Sequence, residues 1–285
     1  MSTSSLKSTA NNQDVTAPAV VAMHWFRKGL RLHDNPALLH ALSLVNESDN
    51  GTTSSNTIYP VFIIDPNSYQ LLKCSVMRAN FLLQCLQDLD ASLRQCGSRL
   101  YVTTGDPVEV LPQLWNEFGI THMTHEADET GEPYAVERDG QVAKAANELG
   151  VHVKEFAGME TLRPLGNVTG GYVKNVGGFA NAVPGTMTSF QNLIARMDGG
   201  SVPLPLDAPT KDDFPNQNDD VYEKKYLPLK HAWEIPWPRG YERSEIGPVW
   251  NRKDCKDKSL SPIAKGGESM ALERLQKSVS ERPDW

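Results

Sequence analysis

Residues 20–42 read VVAMHWFRKGLRLHDNPALLHAL, and the way this stretch turns its corner decides the fold. Val20 to Phe26 is apolar except for His24, with β-branched and aromatic residues, and reads as a buried strand. Asp34-Asn35-Pro36 then has the grammar of a helix start, with Asn35 as a favourable cap and Pro36 as a favourable first residue. A buried strand, a short charged loop and a capped helix together make the first βα unit. Arg27 and Arg31 can pair with Asp34 across the tight turn. His24, His33 and His40 share no face, so the histidines do not form a zinc site.

Outward from this unit the same alternation repeats. IYPVFII (58–64) is a second strand. Met77 to Cys96 carries Leu82, Cys85, Leu86, Leu89, Leu93 and Cys96 at helical spacing, and Gly97 closes the helix. RLYVTT (99–104) is a third strand. Asp106-Pro107-Val108-Glu109 opens a helix that buries Leu111, Leu114, Trp115 and Phe118 and stops at Gly119. ITHMTHE (120–126) is a fourth strand, residues 133–149 a helix, and VHVKEF (151–156) a fifth strand. Strands separated by helices, joined by right-handed crossovers, predict an α/β fold: a Rossmann-like, five-stranded parallel sheet with flanking helices. Such sheets bind ligands outside the carboxyl ends of their strands, at the switch point.

Residues 1–19 are rich in Ser, Thr and Asn and read as a disordered tail. The α/β domain is expected over 20–165. Beyond it, glycines crowd 166–185 and prolines punctuate 203–248, so 166–260 reads as a long irregular interdomain connection. A short helix follows at Ser269 to about Ser280. Residues 261–285 are expected to be the start of a further helical domain, truncated after this first helix.

The chain has 28 basic and 35 acidic residues and a net charge of −7, which provides no global attraction to nucleic acid. No apolar run approaches the roughly 20 residues that span a bilayer. The four cysteines show no CxxC and no metal spacing, and read as reduced thiols of an intracellular protein, with Cys85 and Cys96 on one apolar helix face. Nucleus, cytoplasm, plastid and mitochondrion all stay open as compartments. There is no GxGxxG and no GxxxxGK[ST], so neither an ordinary dinucleotide site nor a P-loop is supported.

The run His24 to Leu38 resembles the start of the photolyase/cryptochrome family, whose pattern is W-F-R-x-x-L-R-x-x-D-N. The resemblance continues through Phe62-Ile63-Ile64-Asp65-Pro66 and through Arg78 to Asp90, which is similar to the six-four photolyase and animal-type cryptochrome branch. It extends to Glu132-Pro133-Tyr134 with Arg138-Asp139, to Thr186 through Gln191, and to Gly266-Gly267-Glu268 with Ala271-Leu272 and Arg274-Leu275. It covers most of residues 20–275, and it implies the N-terminal α/β (antenna) domain followed by the entrance to a FAD-binding helical domain.

In full-length members that helical domain holds FAD, a tryptophan relay and the groove for damaged DNA, or signals to proteins in cryptochromes. For this chain the resemblance implies an antenna-chromophore or packing module without repair activity by itself, with no catalytic residue assigned. The alternative is a non-enzymatic binding or regulatory fragment, a partner or dominant-negative form with no pigment. A plain nucleotide-binding protein of similar topology is a third reading, which the motif run makes remote.

A folate or deazaflavin antenna would sit among Phe26 and Arg27 at the end of the first strand, Asp65 at the end of the second, and Glu132 and Tyr134 after the fourth. The competing reading makes Arg27, Arg31, Asp34 and Asn35 a structural loop clamp. HEADETGEP (125–133) is two residues longer than the family loop, which reshapes the pocket mouth. Trp233, Trp237 and Trp250 lie in the connection and are read as packing rather than relay. His122, His125 and Glu126 do not make a metal site, because strand residues three apart point to opposite faces. Lys224, Lys225, Lys230 and Arg239 are surrounded by acids, so strong nucleic-acid binding by this chain alone is not expected.

Overall fold

The computed structural model describes residues 19–47, 56–69, 76–129, 132–159, 186–196, 204–215 and 265–281. Its centre is a parallel sheet of β1 (Val21–Phe26), β2 (Thr57–Ile64), β3 (Tyr101–Thr104), β4 (His122–Glu126) and β5 (His152–Phe156), in the order β3-β2-β1-β4-β5. Every strand pair is parallel, and β1 pairs with both β2 and β4. The order reverses there, so the ends of β1 and β4 form the switch point.

The helices of this body are α1 (Pro36–Glu47), a single turn α2 (Pro66–Tyr69), α3 (Val76–Gln95), α4 (Pro107–Phe118) and α5 (Pro133–Leu149). They divide between two faces and build two cores. On one face Leu38 and Leu42 of α1 and Leu86, Leu89 and Leu93 of α3 close over Phe26, Ile58 and Phe62. On the other, Leu111 and Trp115 of α4 and Val142 and Ala146 of α5 cover Met23, Trp25, Val61 and Met123. Central strands covered on both sides are largely apolar, which explains the runs in β1 and β2, with His24 of β1 buried as a hydrogen-bonded exception. β5, at the sheet edge, is exposed or half-buried at every position.

The helix ends obey the expected chemistry. Asn35 Oδ1 accepts from the Leu38 amide at 2.9 Å, and Asp106 Oδ1 accepts from Val108 at 2.9 Å, each satisfying an orphan donor of a first turn. Gly119 and Gly150 end α4 and α5 in the left-handed conformation, where a side chain would be strained.

The connection is not uniformly irregular. It contains α6 (Met187–Arg196), begun by Thr186, whose Oγ1 accepts from the Ser189 amide at 3.2 Å. Residues 204–215 form a strap across the α1/α3 face. Phe214 is buried in that core, Asn46 Nδ2 donates to the Asp213 carbonyl at 3.0 Å, and the Cys96 thiol points to the Pro209 carbonyl. The last element is α7 (Glu268–Glu281). The expected tail, the glycine-rich 166–185 run, the three connection tryptophans and the Lys224–Arg239 cations lie outside the described residues. No described helix is long and apolar enough to cross a membrane.

Candidate functional site

The loop from Arg27 to Asn35 leaves the carboxyl end of β1 and is held from several sides. Glu126, the last residue of β4, turns its carboxylate onto this loop and accepts from the amides of Lys28 and Gly29, the latter at 2.9 Å to both oxygens. Two successive N–H groups make an anion nest, and here the chain fills it with its own carboxylate. The approach is so close that a Cβ on Gly29 would stand 2.5 Å from Glu126 Oε2. The crevice between β1 and β4, where a switch-point ligand is expected, is thus occupied from within.

Open space lies beside it instead, outside the ends of β1 and β2. A cavity of about 310 Å³ is lined by Trp25, Phe26, Arg27, Lys28, Ile63, Asp65, Ser68, Arg78, Asp128, Glu132 and Arg138. The structure therefore brings Phe26, Arg27, Asp65 and Glu132 to one cavity, and Tyr134 joins them through Asp65. The Tyr134 hydroxyl donates to Asp65 Oδ2 at 2.7 Å, and Arg138 Nη1 stands 3.6 Å from the same oxygen. Burial pushes the Asp65 carboxyl above its ordinary value, while donation from Tyr134 and from the Asn67 and Ser68 amides pulls it back. Tyr134 is pushed up, first by burial and then by its bond to that carboxylate.

Two wall residues meet the cavity in particular ways. Phe26 reaches the cavity but is only 1% exposed, with its body in the α1/α3 core and its ring edge-on to His24 at 4.4 Å. Glu132 is exposed at the N-cap position of α5 and makes no side-chain cap bond. Arg27 also departs from the predicted pairing with Asp34. Its guanidinium turns to the other side of the loop, donating to the Glu126 carbonyl and to Asp139 Oδ2, both at 3.0 Å. The reason is the pleat: Arg27 follows Trp25 on the α4/α5 side of β1, and its guanidinium carbon lies 4.9 Å from the Trp25 ring centre.

The clamp falls to the other three residues. Arg31 Nη2 donates to the carbonyls of Asp34 at 3.0 Å and Met159 at 2.8 Å and pairs with the Asp34 carboxylate at 3.7 Å. Asp34 takes a positive φ of 49° so that its amide can donate to the Leu206 carbonyl of the strap at 2.9 Å. Asn35, fully buried, donates to the Arg31 carbonyl while capping α1. His24 sits beneath, its Nδ1 2.9 Å from Thr124 Oγ1. Its pKa is lowered to about 3, first by burial and then by neighbouring His125.

One residue that the sequence placed in a family motif but not in the site completes it. Arg138 is buried on the inner face of α5, one turn after Tyr134, and its Nε donates to Asp139 Oδ1 at 2.9 Å. Its Nη2 has no hydrogen-bond partner among the described residues, while its guanidinium carbon lies 5.4 Å from the Trp25 ring. The i, i+4 spacing of Tyr134 and Arg138 was the available signal. His122 and His125 do face opposite ways: His122 stacks on His152 at 5.0 Å, whereas His125 packs against Trp25.

The chain matches the model of the DNA photolyase family over residues 22–193. It is 35% identical to cryptochrome-1 of Macaca fascicularis over 266 residues, which is 93% of this chain and 39% of that protein. Cryptochrome-2 of Gallus gallus is 36% identical over 270 residues, with the same shares. The chain thus spans 39% of the length of these curated relatives. Among solved structures, the class III photolyase of Agrobacterium tumefaciens superposes with a TM-score of 0.61 at 22% identity, over 95% of this chain and 46% of that one. The photolyase of Sulfolobus tokodaii, solved with two FAD molecules and interpreted as implying a novel light-harvesting cofactor, superposes with a TM-score of 0.50 at 25% identity, over 68% of this chain and 40% of that one.

Proposed function

The chain belongs to the photolyase/cryptochrome family, and from that premise we propose that it serves as the α/β antenna module of a light-dependent flavoprotein, holding a planar pigment in the cavity beside β1 and β2. The observation that carries this reading is the convergence of Phe26, Arg27, Asp65, Glu132 and Arg138 on that one cavity. Its volume of about 310 Å³ lies at the lower end of ligand pockets, roughly 300–1,000 Å³, and suits a heterocyclic head group rather than a long tail.

The residues fit such a group. A folate or deazaflavin ring offers N–H donors and carbonyl acceptors along one edge. Asp65 places an acceptor and Arg138 a positive charge on the cavity wall. Tyr134 and the Asn67 amide fix the Asp65 carboxylate in place, so it needs little reorganisation on binding. Trp25 and Phe26 add apolar and aromatic surface to the lining. The pigment, when bound, would absorb light and pass on the excitation. FAD chemistry, damaged DNA and signalling partners belong to this reading through the whole relatives, of which this chain spans 39%.

Titration of the purified chain with 5,10-methenyltetrahydrofolate and with a 5-deazaflavin tests the proposal. Saturable binding of one, followed by absorbance and fluorescence polarisation and weakened at least tenfold in Asp65→Ala, is the expected result. Failure of both pigments to bind would overturn it, and a colourless chain that binds neither would favour the non-enzymatic, pigment-free module.

A further inference from the structure

The two amides that hold the Glu126 carboxylate are oriented by the loop itself. The Leu30 amide donates back to the Lys28 carbonyl at 3.1 Å, and the Arg31 amide to the Gly29 carbonyl at 3.0 Å. This curl leaves the Lys28 and Gly29 amides aimed together at the end of β4. Glu126 is only 3% exposed there, and its backbone is fixed on both sides. Its carbonyl accepts from Arg27 Nη1 at 3.0 Å, and the next amide, that of Ala127, donates to the Phe156 carbonyl of β5 at 2.8 Å. Arg31 brings a positive charge close, its Nη1 standing 3.8 Å from the point where a Gly29 Cβ would lie.

From this geometry we propose that Glu126 is a built-in occupant of an oxyanion site, and that it bars phosphate-bearing ligands, nucleotides among them, from the switch point. Two successive backbone N–H groups beside a guanidinium are the chemistry that receives a phosphate oxygen, and this crevice is where an open parallel sheet presents it. Here a carboxylate tethered to β4 already satisfies both donors. An incoming phosphate would have to displace that buried anion, and would meet its negative charge at contact distance. The exclusion holds whatever ligand the cavity beside β1 and β2 takes, and requires only that such a ligand place no phosphate on the nest.

Occupancy by the side chain, rather than its charge alone, does the excluding. Glu126 Oε1 accepts from both amides, so a glutamine at 126 still fills the nest with one amide oxygen. An alanine leaves both amides without that acceptor, and a small oxyanion from solution can take the vacated place. The β1–α1 loop keeps its other supports in that variant, since Arg31 ties it to Met159 at 2.8 Å and Asn35 caps α1.

Chemical rescue on the full chain tests the plug. Thermal unfolding of wild type, Glu126→Gln and Glu126→Ala is followed in chloride, acetate and inorganic phosphate at equal ionic strength. Glu126→Ala should melt below wild type in chloride. Phosphate and acetate should each raise its Tm by about 3 °C or more beyond their effect on wild type. Glu126→Gln, its nest still filled, should gain no more than wild type does. If Glu126→Ala is unfolded in chloride, the same rescue is read as recovery of near-ultraviolet circular dichroism in phosphate. A Glu126→Ala chain that gains nothing from phosphate would overturn the proposal, even where acetate restores it, because the nest would then take carboxylates only. So would an equal gain in Glu126→Gln or in wild type, because the side chain would then not be excluding the anion.

Discussion

Gly29 shows how much rests on one missing side chain. Its amide and that of Lys28 hold the Glu126 carboxylate at the switch point, and the 2.5 Å approach leaves no room for a methyl group. Gly29→Ala should displace the carboxylate and cost about 1–3 kcal/mol for the buried groups it unpairs, measurable as a lower urea midpoint at constant slope. His24 provides a pH signature. Its folded pKa, about 3, lies below its ordinary 6.5, so below pH 6.5 the unfolded chain binds the proton that the folded chain refuses. The stability contributed by the neutral ring is present above pH 6.5 and is lost as the pH falls toward 3, at up to about 1.4 kcal/mol per pH unit. Urea unfolding at stepped pH should show this slope, and His24→Gln should flatten it. The motif around Arg27 was legible in the chain, but its partner was not: Asp139 lies 112 residues away, and only the packing of α5 over that face of the sheet brings it within reach.

At the scale of elements, the chain's own chemistry was most readable where a cap or a period repeated. The Asp106-Pro107 start of α4 and its Gly119 stop appear as expected. Asp106→Ala should cost about 1 kcal/mol, the usual value of a lost N-cap, seen in the same unfolding assay. α6 was passed over because its start signal, Thr186 capping Ser189, stands next to a glycine-rich run that suggested loop throughout. The strap of 204–215 was also hidden. It has little regular structure of its own, and its anchor is one aromatic side chain in a core built by other elements. Phe214→Ala should destabilise the chain by about 3 kcal/mol, the lower end for a buried phenylalanine, since a peripheral strap relaxes into part of the cavity. If thermal unfolding shows no loss, the strap is not part of the cooperative core.

For the whole molecule, ligand and fold should be thermodynamically linked. A pigment at a hundredfold excess over its Kd adds about 2.7 kcal/mol to the folded state, which should appear as a rise in Tm of several degrees. Asp65→Asn should reduce that rise, because Asp65 lies on the cavity wall and ties it to Tyr134. The sequence by itself determined the order of the five strands and of the helices that flank them, the parallel sheet and the family, because buried strands, capped helices and motif spacing are local signals written in consecutive residues. Tertiary structure alone decided which carboxylate fills the β1–β4 crevice, where the open cavity lies, and that Glu268 docks the start of α7 on the β1–α1 loop. Those outcomes depend on contacts between residues from about 70 to more than 230 positions apart, Tyr134 with Asp65, Glu126 with Gly29 and Glu268 with Leu32, and no local pattern encodes which distant carboxylate will find which amide.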